Sequence, residues 1–270
     1  ANQYSNAAVF ELNRNYRSGS EIVLSANKVL PDNPLQSVRD SLGQVKKAEF
    51  ASASKEAEIV VGQISESLSK RNPSEIAVLA RTNQQLVAFE AELSKRGIKS
   101  QVRGQGRFFR QPSVAQAMNA IRALSVATPT EPLFIEVSKI LTSLGWTSQQ
   151  KQDENWESLN WFFQVLDEMG DPSLTDFIRE LDERERSGHE PTKEAITLAT
   201  VHGTKGLEWS EVYLVGVNQG LFPIVHSSSD IAIAEEKRLF YVAITRAKDF
   251  LQVSSWSQPS DFLVAIDNRN

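Results

Sequence analysis

The stretch 196–254 constrains this chain more than any other part of it. It reads ITLATVHGTKGLEW, then SEVYLVGVNQGLFP, and ends in EEKRLFYVAITRAKDFLQVSS. Two β-rich runs, 196–201 and 211–217, are separated only by a polar loop holding His202, Lys205 and Glu208. A loop with Gly220 and Pro223 follows, then a helical pattern over about 230–243, and 250–254 returns as a strand. Strands and helices alternating in this way define an α/β sheet. Polar side chains gather where strands and the helix end, and open α/β sheets hold ligands at strand ends.

Upstream, the same alternation continues. A short β-like run at 9–12 precedes Asn13-Arg14-Asn15-Tyr16-Arg17, and Ser18 with Glu21 forms a capping box for a helix ending before Pro31. Residues 31–46 have no period, and 48–52 reads as a strand. A helix over 55–70 ends before Pro73, a compact strand over 76–80 follows, and Arg81-Thr82-Asn83 marks its end. A helix over 84–96 stops at Gly97, and 98–102 completes a strand–helix–strand unit. Gly104 and Gly106 lack the third glycine of a dinucleotide loop, and Pro112 opens another helix to 124.

Between 126 and 192 the character is helical throughout, with helices over 133–144, 156–169 and 174–186 and a small core from Trp146, Trp156, Trp161, Phe162 and Phe163. The domain expectation is a discontinuous α/β domain over 1–125 and 193–270, with an inserted helical subdomain over 126–192.

No cysteine occurs, so neither a disulfide framework nor a thiolate metal site is available, and three scattered histidines do not make a metal site. No apolar run is long enough to span a bilayer, and the expected location is the cytoplasm. The net charge of −5 argues against a surface coated for duplex binding but allows a narrow groove for single-stranded DNA.

Fixed identities at fixed spacing carry a resemblance. Thr200, His202, Lys205-Gly206-Leu207-Glu208-Trp209, Glu235-Glu236, Arg238-Leu239, Tyr241-Val242-Ala243 and Thr245-Arg246-Ala247 resemble motifs V and VI of UvrD/PcrA/Rep-type superfamily I DNA helicases. Leu12, Asn15-Tyr16-Arg17-Ser18 and Ala26-Asn27 resemble motif IV. Gly145-Trp146-Thr147, Trp156-Glu157-Ser158-Leu159 and His189-Glu190-Pro191-Thr192 look similar to an actinobacterial UvrD-like branch. The resemblance implies a RecA-like parallel sheet flanked by helices, ATP with Mg²⁺ as cofactor, 3′ to 5′ translocation, and single-stranded DNA or single/double-strand junctions as partners. The helical insertion is shorter than the family's, which removes the basis for carrying over its regulatory role.

By this resemblance Arg246 would reach the γ-phosphate and neutralise charge developing during phosphoryl transfer. Alone, it reads as a cation at a helix C-terminus. Arg17 would be a second phosphate contact and Tyr16 a ring stacked on adenine, though alone Tyr16 reads as packing. Glu208 would accept from ribose hydroxyls or be a solvated loop carboxylate. Lys205 serves the nucleotide or only the loop. Thr200 and His202 would contact single-stranded DNA, with Arg81, Thr82 and Asn83 as a second group. Glu235 and Glu236 read as acids early in a helix.

None of the 13 glycines precedes a lysine, so the G-x-x-x-x-G-K-[ST] phosphate loop is absent, as is a strand ending in an acidic Mg²⁺ pair. The expectation is a C-terminal motor half whose Mg²⁺ ligands lie in an N-terminal motor domain, and which does not hydrolyse ATP alone. Two rivals are a subunit of a helicase–nuclease complex and a non-catalytic DNA- or protein-binding module that keeps the fold.

Overall fold

The computed structural model describes residues 13–32, 34–103, 107–127, 131–149, 153–187, 194–224 and 229–266. The run 9–12 with Leu12, the glycines 104 and 106, and the stretch 189–192 lie outside them. The chain divides into two compact units, one of residues 1–102 and 194–270, the other of 103–193.

In the first unit the described elements run β1 (Arg14–Asn15), α1 (Ser20–Val29), β2 (Gln36–Ser37), β3 (Gln44–Glu49), α2 (Ala53–Ser67), β4 (Ile76–Ala80), α3 (Asn83–Lys95) and β5 (Ser100–Arg103). In the second unit are α4 (Arg107–Arg110), α5 (Pro112–Ala123), α6 (Leu133–Ser143), α7 (Glu154–Met169) and α8 (Leu174–Ser187). The first unit resumes with β6 (Ile196–Thr200), β7 (Trp209–Leu214), α9 (Asp230–Ile244), β8 (Ala247–Ser255) and α10 (Asp261–Ala265).

Six strands form one sheet in the order β3-β8-β7-β4-β6-β5. The pairs β3/β8, β8/β7, β7/β4 and β4/β6 are all parallel. This is the α/β, RecA-like parallel sheet flanked by helices that the sequence led us to expect. Every residue of β4 is buried, because each face is covered. Ala77 and Leu79 join Val212, Leu214, Leu251 and Val253 against α1, α9 and α10. Ile76, Val78 and Ala80 turn the other way, toward Val60, Ile64, Phe89 and Leu93 of α2 and α3. The period of two in side-chain direction thus lets one short apolar strand serve two cores.

Three differences from the sequence reading have physical causes. The edge strand β3 starts at Gln44 rather than near 48, because its residues QVKKAE are mostly polar and carry no apolar run. Strand β5 is separated from β4 by β6, so the strand–helix–strand unit spans a gap filled by a later strand. Helix α1 starts at Ser20, after Gly19, and Ser18 does not cap it; the Ser18 hydroxyl instead donates to Ala247 O at 2.6 Å.

The second unit has its own core of Phe108, Phe109, Val114, Met118, Ile121, Val137, Leu141, Leu159, Trp161, Phe162, Val165, Phe177 and Leu181. Its division falls at 102/103, so α5 packs with the later helices, whereas the sequence boundary of 125/126 placed it with the sheet. The reason is the apolar face Val114, Ala117, Met118 and Ile121, which belongs wholly to the helical core. Trp146 and Phe163 pack at its margin with ring centroids 4.6 Å apart, and the Trp146 indole donates to Asn160 Oδ1 at 3.1 Å.

Candidate functional site

The turn between β1 and α1 is built by Asn15, whose Oδ1 accepts from Arg17 N at 2.9 Å and Ser18 N at 2.8 Å. An Asx turn of this kind fixes a tight backbone locally. Gly19 N then donates to Lys248 O at 2.9 Å, joining the turn to the first residues of β8. A Cβ on Gly19 would lie 2.5 Å from Gly43 N, so this close approach requires glycine. Arg39, from a loop in which the sequence pattern singled out nothing, clamps the same place. Its Nη1 donates to Arg17 O at 2.6 Å and Lys248 O at 3.2 Å, and its Nη2 donates to Asp249 Oδ1 at 2.9 Å.

The result brings charged side chains from three distant segments together. Glu208 immediately precedes β7, and Arg246 immediately precedes β8. The Arg17 Nε donates to Glu208 Oε2, and its Nη1 donates to Thr245 O at 3.1 Å. Lys248 Nζ is 2.9 Å from Glu208 Oε1. Arg246 is held by backbone carbonyls: its Nε donates to Val242 O at 3.1 Å, and its Nη1 to Leu207 O at 3.0 Å and Thr204 O at 3.4 Å. Val242 lies in the last turn of α9, so Arg246 also sits as a cation at a helix C-terminus.

The Lys248 and Arg17 bonds hold the Glu208 carboxyl below the usual carboxylate range. Burial, and then the nearby Arg17 charge, lower the Arg246 guanidinium from its ordinary value, with Glu208 opposing. Three cations therefore surround Glu208, with Glu75 as a second carboxylate within electrostatic reach of Lys248, so positive charge is in local excess. Tyr16 stands beside them with 67% of its surface exposed. Lys205 is exposed on the same connection that leads into Glu208. Glu208 and Arg246 lie at the amino ends of their strands, opposite to the carboxyl-end position that the rule for open sheets suggested.

At the carboxyl ends the picture differs. Ala80 pairs with Thr200, so Arg81-Thr82-Asn83 and Thr200-Val201-His202 leave neighbouring strands side by side. His202 and Asn83 are exposed, and Thr200 is half-buried. Arg81 is not open to a ligand. Its Nε and Nη2 form a fork on Glu236 Oε1 and Oε2 at 2.7 to 3.1 Å, with side chains 16% and 7% exposed. Glu236 is thus a buried partner in the second turn of α9 rather than an acid placed by the helix dipole. Thr82 closes a capping box with Gln85, its N donating to Gln85 Oε1 at 2.9 Å.

A cavity of about 500 Å³ opens on the α2 side of β3, β8 and β7. Part of its charge is paired within it: Arg71 reaches Glu211 Oε2 at 3.3 Å and Asp249 Oδ2 at 3.5 Å, and Ser67 Oγ donates to Glu211 Oε1 at 2.8 Å. Among the described residues no group of histidines and carboxylates could hold a metal ion, and no helix is long and apolar enough to cross a membrane.

A sheet covered on both faces, with a cationic rim at the amino ends of two adjacent strands, places this chain in the RecA-like class of α/β domains. Residues 10–128 and 126–258 match the UvrD-like helicase C-terminal domain, and the chain belongs to that family. The ATP-dependent DNA helicase UvrD2 of Mycobacterium tuberculosis is 33% identical over 274 residues, covering 93% of this chain and 39% of that protein. The ATP-dependent DNA helicase PcrA of Bacillus subtilis is 25% identical over 351 residues, covering 93% of this chain and 47% of its own. This chain thus spans less than half the length of these relatives. The solved C-terminal domain of a possible DNA helicase from Lactobacillus plantarum aligns over 94% of both chains at 14% identity and a TM-score of 0.46.

Proposed function

We propose that this chain is the C-terminal motor half of an ATP-dependent DNA helicase that moves 3′ to 5′ on single-stranded DNA and acts at single/double-strand junctions. One observation carries the reading: Arg17, Glu208 and Arg246, far apart in the chain, converge on one rim beside the exposed Tyr16. Two guanidiniums within reach of each other repel, and a polyphosphate relieves that repulsion by accepting hydrogen bonds from both. Each guanidinium keeps its Nη2 free of protein partners among the described residues. The donor set therefore fits ATP: Tyr16 stacks on the base, Glu208 accepts from the ribose, and Arg17 and Arg246 hold phosphate oxygens. Lys205, exposed on the connection that leads into Glu208, adds a further positive charge on the nucleotide side. Bound ATP would supply the phosphoryl group whose transfer drives movement, with Mg²⁺ held by an N-terminal motor domain of the same protein.

On the DNA side, Thr200, His202 and Asn83 are the accessible groups at neighbouring strand ends. Arg81 and Thr82 act behind them, as the pair and cap that hold these ends in place. Contacts of this kind position a strand without reading its sequence. The decisive experiment is DNA-stimulated ATP hydrolysis by the full-length protein that carries this chain. Arg17→Ala and Arg246→Ala should each abolish it, and the isolated chain should show no turnover. Unchanged hydrolysis in both variants would sink the motor reading and favour a binding module that has kept the fold.

A further inference from the structure

We infer that Lys248, which follows the arginine of the rim by two residues, positions Glu208 and thereby sets how strongly the site discriminates for ribose hydroxyls. The inference rests on the ribose role proposed for Glu208. The geometry behind it is a bracket. Arg17 Nε occupies Glu208 Oε2, and Lys248 Nζ occupies Oε1 at 2.9 Å, so the carboxylate is held from both sides. An ionised carboxylate offers about four acceptor sites, and two hydrogen bonds consume only half of them. The remaining sites are left for hydroxyl donors, while the two cations fix where those sites point.

Without Lys248 the Glu208 side chain would keep one charged partner and regain freedom about its other bonds. Glu208 and Lys248 have side chains about equally accessible, at 37% and 36%, so both can be changed without opening the core. The backbone at Lys248 is held independently, its carbonyl accepting from Gly19 N and Arg39 Nη1. Removing the ammonium therefore leaves strand β8 and the neighbouring Arg246 where they are. Lys248 forms its ion pair with Glu208 and touches neither of the guanidiniums proposed to bind phosphate; the carboxylate of Glu75 lies within its electrostatic reach but makes no ion pair with it among the described residues. It acts as a positioning residue, through that carboxylate.

The test uses the full-length protein, with ATP and 2′,3′-dideoxy-ATP compared as substrates for DNA-stimulated hydrolysis. Lys248→Met should raise KM for ATP about tenfold, in keeping with loss of one charge-assisted hydrogen bond, and leave kcat within about twofold. Lys248→Arg should restore KM. The dideoxy nucleotide, having no hydroxyl for Glu208 to bind, should show the same KM with the unmodified protein and with Lys248→Met. Glu208→Gln combined with Lys248→Met should be no worse than Glu208→Gln alone, because a residue acting through another adds nothing once that other is gone. An equal rise in KM for both nucleotides would overturn the inference, since the lysine would then be contacting phosphate or base. A normal KM in Lys248→Met beside a raised KM in Glu208→Gln would overturn it too, and would leave the ribose reading standing. A normal KM for ATP in Glu208→Gln would remove the ribose reading and this inference together.

Discussion

The two ends of the central sheet treat charge in opposite ways. At the amino ends of β7 and β8, Arg17, Arg246 and Lys248 outnumber the carboxylates of Glu208 and Glu75, and the guanidiniums are tied mostly to backbone carbonyls. At the carboxyl ends, Arg81 and Glu236 neutralise each other in a buried fork, and Glu56 is buried against Gly216 N and Ser254 Oγ. A backbone carbonyl satisfies a guanidinium's donors without cancelling its charge; a carboxylate does both. Of these two ends, only the amino-end rim keeps spare positive charge, and that distinguishes it from the carboxyl-end network, which holds elements together. Joining the two ends is a short connection, 201–208, with His202 near its start and Glu208 at its finish.

The sharpest way to break this contrast is to remove one charge from each end. Arg246→Ala in the full-length protein should lower DNA-stimulated ATP turnover by about 10³-fold or more, the scale associated with an arginine at a transferring phosphoryl group. Folding stability should fall by no more than about 2 kcal/mol, because the carbonyls of Val242, Leu207 and Thr204 can turn to water. Arg81→Ala should do the reverse. It leaves Glu236 charged and buried, so chemical denaturation should report a loss of about 3–5 kcal/mol. Arg81→Met with Glu236→Leu should recover most of that loss, since an apolar pair of similar volume replaces a buried ion pair at little cost. If Arg81→Ala folds normally but releases DNA, Arg81 belongs with the ligand contacts after all, and the two ends are alike.

A smaller effect separates exposure from packing. Tyr16→Ala should weaken nucleotide binding by about 1–3 kcal/mol, the range for a base stacked on an aromatic ring, and leave the melting temperature unchanged. A fall in stability of the same size would mean that the ring packs in solution.

How much of this was legible beforehand depended on whether each residue's partner was local. The run IAVLA declared β4, because an apolar stretch of five between Pro73 and the Arg81 turn has few other uses. The helices 133–143, 154–169 and 174–187 showed through their spacing and the glycines that close two of them. The rim residues Tyr16, Arg17, Glu208 and Arg246 were visible only through the resemblance of their neighbours to known motifs, since no periodicity links positions so far apart. The start of strand β3 was hidden, because an edge strand meets solvent and QVKKAE carries no apolar signature. Arg39 sat in a stretch with no pattern, and its function consists of binding the backbone of Arg17 and Lys248. Arg81 was legible as a charged residue at a strand end but not as half of a pair, because Glu236 lies 155 residues later.

The smallest test compares two glutamates, one from each end, through pH. Bonds from Lys248 and Arg17 lower the Glu208 carboxyl from its ordinary value. A lowered folded-state value contributes stability above the ordinary carboxylate range that disappears as pH falls through it. Burial raises the Glu56 carboxyl instead, with the Ser254 and Gly216 bonds opposing. Its contribution is complete below the ordinary range and is lost as pH rises through the raised value. The two substitutions should therefore respond to pH with opposite signs. Glu208→Gln should cost no more than about 0.5 kcal/mol near pH 7, because the pair is exposed to solvent, and progressively less as pH falls below the ordinary carboxylate range. Glu56→Gln keeps an oxygen for Gly216 and Ser254 while removing a buried charge, so it should be neutral or stabilising by about 1 kcal/mol near pH 7, with the gain gone near pH 4. Parallel melting curves for each variant across that range would read the difference directly. Two profiles of the same sign would mean that the rim carboxylate is as enclosed as the interior one, and that the amino-end rim is a closed network rather than an open site.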